Sequence, residues 1–404
     1  MTSSSRPSSN CAQRGAALGL LLASMLLALS ILAASIVAAG WPLRIRVVSP
    51  RLGMPTIDKP GATLEVRIVS SLPFVLPTLA MSLAGPGPQG KVAPLQITQR
   101  RWDGVNAVFT MLLPEVPDGG YTLQVRTKSQ TVLLPKAIFL RHEWPAVLHL
   151  AHIADLPPPG GEALMRRFVE EMQQKKPDAV LVTGDINYTG AESNIQFMQA
   201  QLARLDAPVI MTAGNHEREG WHRYLRVFGA RDHRTNFGPL VVLSLDSAHG
   251  RDALTPSAFR WLRLQLTQLS GRTPLIQLHH PLFPPGPKAT SEAGGTGGYL
   301  RGYRRAFLDL CEQYHVAMVL SGHWHQDAVF DSQGNFRTDR SDFPGTKYVV
   351  TTALGAEVRK VFEQSPVRNG YRWIEFANGK LVSYSSDPRN PVPSTLLEAP
   401  VRAP

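Results

Sequence analysis

The stretch Ala179-Val180-Leu181-Val182-Thr183-Gly184-Asp185-Ile186-Asn187-Tyr188 runs a short buried-strand pattern straight into a glycine and a carboxylate. The same grammar recurs along the chain. Val147 to Ile153 leads to Asp155, Val209 to Thr212 to Gly214-Asn215-His216-Glu217, Leu275 to Leu278 to His279-His280-Pro281, and Val316 to Leu320 to Gly322-His323-Trp324-His325. Leu240 to Leu245 and Tyr348 to Thr352 read as further buried strands. Between the first two strands, Leu164, Phe168, Val169 and Met172 keep helical spacing until Pro177 ends the run. Helices are also expected over Glu192 to Leu205, Thr255 to Leu269 and Tyr299 to His315. Strand, helix, strand succession predicts a layered α/β domain over 145–386 with its site at the carboxyl ends of the strands.

The residues at those ends are hard oxygen and imidazole donors, which suit iron, manganese or zinc rather than a soft thiolate metal. Singly each has a bland reading: Asp155 and Asp185 as loop caps, Asn215 as a turn residue, His279 or His323 as a core or surface imidazole. Five of them in one order read as a two-metal site for hydrolysis of a phosphate ester. Cations about 3.5 to 4 Å apart repel strongly and need a shared carboxylate, for which the central Asp185 is the candidate. Gly184, Gly214 and Gly322 let the backbone turn sharply beside the ions. His323 and His325, two apart, reach different metals from one short segment.

The remaining composition narrows the class. The chain has 404 residues, 43% hydrophobic, enough for one large and one smaller core. Its formal charge is +11, but lysine and arginine are scattered without a long basic run, which argues against nucleic acid as partner. Cys11 and Cys311 cannot build a disulfide framework, and Cys311 reads as a buried structural thiol.

After a tail over 1–14, Gly15 to Trp41 is uncharged and long enough to cross a bilayer as a helix. A single-pass anchor is expected, with the large C-terminal part outside the cytoplasm; removal after Val37-Ala38-Ala39 would make the chain secreted instead. Over 43–143, Leu64, Val66 and Ile68 alternate with Glu65 and Arg67, and Tyr121, Leu123 and Val125 with Thr122 and Gln124. Turn signals at Asp58-Lys59-Pro60-Gly61, Gly85-Pro86-Gly87-Pro88, Asp103-Gly104 and Asp118-Gly119-Gly120 divide about seven segments, the pattern of a small all-β sandwich serving as spacer. Residues 387–404 read as an unpacked tail.

Over Val147 to Ser386 these motifs resemble the calcineurin-like metallophosphoesterase superfamily: Asp-x-His, Gly-Asp, Gly-Asn-His-Glu or Asp, His-x-Pro and Gly-His-x-His. The histidine of the first motif is Pro157 here, which has no lone pair for a cation. Asp185-Ile186-Asn187-Tyr188 matches the Gly-Asp-x-x-Tyr motif of the purple acid phosphatase branch, where a tyrosinate ligates ferric iron. Ile276-Gln277-Leu278-His279 matches its Val-x-x-His. Plant members of that branch also carry a β-sandwich ahead of the catalytic domain.

The resemblance implies a metallophosphoesterase-type β-sandwich flanked by helices. It implies one metal on Asp155, Asp185, Tyr188 and His325 and a second on Asp185, Asn215, His279 and His323, with iron paired with iron, manganese or zinc. It further implies attack by a metal-bound hydroxide, with His216 stabilising the transition state or protonating the leaving oxygen. Tyr188 has the alternative of packing as a loop tyrosine, and His152 of replacing the lost ligand, although it should face away from Asp155. His280 is a candidate second donor to substrate, with a structural role as its alternative. Glu217 would orient His216 or cap the following helix. Pro284 to Gly298, rich in Pro, Gly, Ser and Thr, is either a flap over the site or an ordinary connection. The alternative to an enzyme is a non-catalytic binding protein with a degraded metal site. Oligomeric state has no signature in the sequence.

Overall fold

The computed structural model describes residues 44–71, 78–85, 90–156, 161–187, 189–249, 254–284, 299–300, 302–337, 343–358 and 368–385, with 22, 24, 25, 27 and 28 near the N-terminus. Those five are helical and exposed; the rest of the expected anchor over 15–41 lies outside the described residues, as do Pro157, Tyr188, almost all of the expected flap and the C-terminal tail. No helix among the described residues is long and apolar enough to cross a membrane.

Nine strands build the first unit: β1 (Ile45–Ser49), β2 (Thr56–Asp58), β3 (Thr63–Ser70), β4 (Ala80–Ala84), β5 (Val92–Leu95), β6 (Ile97–Asp103), β7 (Asn106–Leu112), β8 (Gly119–Arg126) and β9 (Thr131–Leu140). They form two sheets, β1-β3-β7-β6 and β2-β9-β8-β4-β5, antiparallel except where β2 meets β9. Leu64, Val66 and Ile68 of β3 face Leu123 and Val125 of β8 in one apolar interior, as period-two alternation requires. The excess over seven segments comes from β2 and β5, whose three and four residues are too short to show alternation.

The second unit continues with β10 (Val147–Ile153), β11 (Ala179–Thr183), β12 (Val209–Thr212), β13 (His233–Phe237), β14 (Leu240–Ser244), β15 (Thr273–Gln277), β16 (Met318–Ser321), β17 (Ala328–Phe330), β18 (Phe336–Arg337), β19 (Lys347–Val350), β20 (Arg372–Ala377) and β21 (Lys380–Ser385). One sheet has the order β12-β11-β10-β20-β21 and the other β13-β14-β15-β16-β19-β17-β18. Their inner faces meet through Leu148, Leu150, Leu181 and Ile210 on one side and Val242, Leu275, Leu320 and Val349 on the other. Helices Glu162–Lys175 and Glu192–Leu202 cover the outer face of the first sheet, and Pro256–Leu266 and Arg304–Gln313 that of the second. The result is a four-layered α/β sandwich.

Local chemistry explains the helix limits. Thr255 accepts from the Ala258 N–H at 3.1 Å and Pro256 occupies the first helical turn. Glu162–Lys175 stops at Lys176, left-handed at φ 51°, ahead of Pro177. The two units are tied together beside the site. The Met211 N–H of edge strand β12 donates to Gly53 O at 2.8 Å, and the buried Arg51 guanidinium donates to the Arg226 and Val47 carbonyls.

Candidate metal centre

Strands β10, β11 and β12 run parallel, as do β14, β15, β16 and β19, so the loops after these strands gather at one end of the two sheets. Backbone pairing carries on past the strands and holds the loops in register. The Asp155 N–H donates to Gly184 O, Leu156 N–H to Asp185 O, Gly322 N–H to His279 O and Leu354 N–H to Ala154 O. Asp155, Asp185, His323 and His325 all take positive φ, between 50° and 70°, a conformation that L-residues adopt only when the surroundings impose it. The glycines make room. A Cβ on Gly322 would lie 2.7 Å from Asp155 Oδ2, and one on Gly214 would collide with Asp185 Oδ1.

The expected ligands come together. His279 Nε2 lies 2.9 Å from Asn215 Oδ1, 3.1 Å from His323 Nδ1 and 3.2 Å from Asp185 Oδ2. His325 Nε2 lies 3.3 Å from Asp155 Oδ1. Donor atoms of Asp155, Asp185 and His279 fall within 4.8 Å of one another, as do those of His279, His280 and His323. His216 sits at the edge, its Nε2 3.9 Å from Asp185 Oδ2 and its backbone N–H on Asp185 Oδ1 at 2.9 Å. Its side chain is 37% exposed, whereas those of His279 and Asp155 are fully buried, so His216 is open to an incoming molecule.

The hydrogen bonds around these imidazoles test whether cations fit. His279 Nδ1 is 2.7 Å from the Thr183 carbonyl and His325 Nδ1 is 2.6 Å from the Glu357 carbonyl. A carbonyl only accepts, so Nδ1 must carry a proton in both rings, and Nε2 is the nitrogen turned toward the carboxylate oxygens. Acceptor oxygens so crowded repel unless positive charge stands among them. Electrostatics agrees: against the opposing effect of burial, the charges of Asp185 and Asp155 push His279 up to about 10, while the His279 charge holds Asp185 below the usual carboxylate range. The donor set fits a divalent or trivalent cation between these side chains.

Residues 148–327 match the family model described as calcineurin-like phosphoesterase. Over that stretch, 180 of the 404 residues, the chain is similar to this superfamily. A glycerophosphodiester phosphodiesterase GpdQ of Enterobacter lignolyticus is 28% identical over 165 residues, 38% of this chain and 57% of that protein. A probable cyclic nucleotide phosphodiesterase of Synechococcus is 27% identical over 217 residues, 50% of this chain and 74% of that protein. The chain thus spans less than two thirds of the first of these relatives. Among solved structures, the purple acid phosphatase PPD1 from yellow lupin (Lupinus luteus) seeds superposes with a TM-score of 0.53 at 14% identity, over 84% of this chain and 73% of that one, a likeness of fold.

Two residues of the phosphoesterase unit differ from their sequence reading or complete it. Glu217 is buried and neither bonds His216 nor caps the following helix. Its carboxylate accepts the backbone N–H groups of Gly214 at 2.6 Å and of Asp185 and Ile186 at 2.9 Å, and so clips two ligand-bearing loops together. Burial, reinforced by the Asp185 charge, pushes Glu217 upward, and the backbone N–H groups of Gly214 and Asp185 pull the other way by favouring the carboxylate. Proximity to His216 in sequence had hidden this, because the bonds reach 31 and 32 residues back along the chain. His152 lies buried between the hydroxyls of Thr183 at 3.0 Å and Thr351 at 2.7 Å. Both of its ring nitrogens meet these hydroxyls rather than the Asp155 carboxylate.

Also unforeseen is Ser247, after β14, whose Oγ lies 3.0 Å from His280 Nδ1. Nothing in the sequence near Ser247 marked it. Tyr188, the expected ligand that would replace the missing histidine, lies outside the described residues.

Proposed function

We propose that this chain is a metal-dependent phosphoesterase that hydrolyses a phosphodiester at a dinuclear centre. The observation that carries the reading is the convergence of Asp185, Asn215 and His323 within 3.2 Å of His279 Nε2, with that ring held in its metal-ligating tautomer by the Thr183 carbonyl. Diesters are favoured because the relatives named glycerophosphodiester and cyclic nucleotide phosphodiesterases share this domain.

Asp185, Asn215, His279 and His323 would hold one cation, and Asp155, Asp185 and His325, joined by Tyr188, the other, with Asp185 shared. When bound, the cations supply Lewis-acid charge to the phosphoryl oxygens and lower the pKa of a water. Asp185 and Asp155, both buried, would neutralise that positive charge. His216, partly exposed and fixed by its backbone bond to Asp185, is positioned to donate to the developing charge or to the departing oxygen. Iron, with iron, manganese or zinc as its neighbour, is the proposed metal content. The segment 15–41 is proposed as a bilayer anchor with the enzyme outside the cytoplasm.

The test is turnover of bis(p-nitrophenyl) phosphate against p-nitrophenyl phosphate by the full chain, with metal analysis. About two ions per chain and diester turnover that chelation abolishes and metal restores is the expected result. Fewer than two ions and no turnover of either ester would return the molecule to a binding role. A visible absorption band lost in Tyr188→Phe would assign the tyrosine to ferric iron, and its absence from an active enzyme would remove that ligand. Recovery of the full chain in the soluble fraction without detergent would remove the anchor.

A further inference from the structure

The two halves of the centre rest on different supports. On the His279 side, the Glu217 carboxylate and the Thr183 carbonyl hold the ligand loops. On the His325 side the support is the segment after β19, residues 351–357, which supplies none of the expected ligands. Its Glu357 carbonyl meets His325 Nδ1 at 2.6 Å, and its Gly355 and Ala356 N–H groups donate to the Asp155 carbonyl at 3.3 and 3.2 Å. The Thr352 hydroxyl is directed at the His325 carbonyl at 3.2 Å and the Arg368 carbonyl at 2.7 Å. One segment thus touches the ring of one expected ligand and the backbone of two.

A buried charge pair fixes that segment. Asp327, two residues beyond His325, accepts the Thr352 N–H at 3.2 Å and the Arg372 guanidinium at 2.9 Å, both on Oδ1. Arg372 belongs to β20 of the other sheet, on its inner face in step with Ile374 and Phe376. It donates further to the Tyr384 carbonyl at 2.8 Å and the Val350 carbonyl at 3.3 Å. Asp327 is 3% exposed and Arg372 not at all, so the pair joins the two sheets out of reach of solvent.

Stability is a weak reason for charges in such a place. Taking a guanidinium and a carboxylate out of water costs as much as their attraction returns, and apolar side chains of similar volume often do as well or better. Apolar side chains cannot supply direction. A guanidinium with three acceptors holds Asp327 Oδ1 at one point, and through it the Thr352 backbone.

We infer that the Asp327–Arg372 pair positions the metal site on the His325 side, acting through Thr352, while the site on the His279 side depends on its own supports. This rests on the phosphoesterase reading and adds to it that the two cation positions are held by separate hydrogen-bond frames. Asp327, Arg372 and Thr352 are positioning residues.

The tests use the full chain. Asp327→Leu or Arg372→Met alone strands a buried charge and should lower the melting temperature sharply; the double variant leaves no charge stranded and should recover most of that loss. Metal affinity should not recover with it. After loading with Mn2+ and dialysis, the double variant is expected to keep about one ion per chain where wild type keeps about two, the lost ion binding about 10- to 100-fold more weakly. Two ions held with wild-type affinity overturn the inference, as does loss of both from a variant that melts like wild type. Adding His279→Asn to the double variant should remove the remaining ion, and adding His325→Asn should leave it; the opposite result places the effect on the wrong half and overturns the inference.

Thr352→Val keeps both charges and the backbone bond and removes only the hydroxyl, so it decides the matter even where the double variant does not fold. One ion bound several-fold more weakly supports the route through Thr352, and two unchanged affinities overturn it. Hydrogen exchange of the metal-free protein gives a readout independent of any ion. In the double variant, or in Thr352→Val, the amides of Thr352, Leu354 and Gly355 should exchange faster while those of Gly214, Asp185 and Ile186, held by Glu217, keep wild-type rates. Equal acceleration of both sets would mean general loosening and overturn the inference. A wild-type protein that binds no ion and turns over no ester would instead defeat the phosphoesterase reading, while the exchange pattern would still decide whether the pair holds the segment.

Discussion

Two β-sandwiches lie in this chain, and among the described residues only the second gathers polar side chains into a centre. In the N-terminal sandwich the sheets are antiparallel except at one edge pair, so loops after successive strands leave at opposite ends and their polar residues disperse. Its described interior holds the apolar cluster that includes Leu64, Val66 and Leu123. In the phosphoesterase domain seven strands run in two parallel sets, and every loop that follows one of them emerges on the same side. Parallel topology, not a richer supply of histidine or aspartate in any one segment, is what concentrates the donors.

The difference can be broken most forcefully at the shared carboxylate. Asp185→Asn removes the charge that both proposed cations need, and a loss of kcat/KM of about a thousandfold with loss of bound metal is expected. Metal analysis beside steady-state kinetics checks this, and a variant retaining two ions would show that Asp185 is not shared.

Next comes one substitution made in both sandwiches. Gly214→Ala drives a Cβ into Asp185 Oδ1 and should cost several-fold more in stability than Gly61→Ala in the N-terminal unit, where φ is +78° but no atom lies within 4 Å. The latter should cost about 1 to 2 kcal/mol from backbone strain alone. Denaturant unfolding of both variants measures the gap, and equal costs would mean that the ligand loops are not close-packed.

Glu217→Gln sharpens the comparison within the site. The amide offers one acceptor oxygen and a clashing NH2 where a carboxylate meets three N–H groups. A destabilisation of about 1 to 3 kcal/mol and a 10- to 100-fold weaker metal affinity are expected, to be read by chemical unfolding and metal titration.

Acid should distinguish the units as well. Burial, aided by the Arg372 charge, lowers His152 to about 3, whereas Asp118 raises the exposed His142 of the N-terminal unit. Between about pH 6.5 and 3 the unfolded chain binds the His152 proton and the native chain does not, so stability falls on acidification by about 1.4 kcal/mol per pH unit. His142 has the opposite sign, its contribution being present at low pH and lost as pH rises through its folded pKa. Hydrogen exchange between pH 7 and 4 should therefore show β10 losing protection before β8. The reverse order would refute the assignment.

The smallest effect is expected at Arg67, which pairs with Asp103 and Glu65 on the sandwich surface. Arg67→Ala should cost less than about 1 kcal/mol in a thermal or denaturant melt.

Much of this architecture was legible in the sequence. β10, β11 and β12 match their apolar runs residue for residue, because strands buried largely on both faces read as mainly hydrophobic stretches. β13, β17, β18, β20 and β21 had no such signal. They are edge or antiparallel strands, mostly half-buried, such as Arg372–Ala377 with its alternating burial and Phe336–Arg337 with only two residues. The helix Trp221–Val227 escaped notice for a related reason, its seven residues being too few to establish a period.

The amino-acid order by itself determined which donors stand after which strands, since an apolar run, a glycine and a ligand are local facts of composition and spacing. The tertiary structure alone decided which nitrogen of His279 and His325 meets a backbone carbonyl, what Glu217 holds, and that Ser247 touches His280. All but the Glu217 bond to Gly214 depend on hydrogen bonds between residues from 31 to 96 positions apart, whose partners are chosen by sheet order and loop geometry rather than by neighbours in the chain.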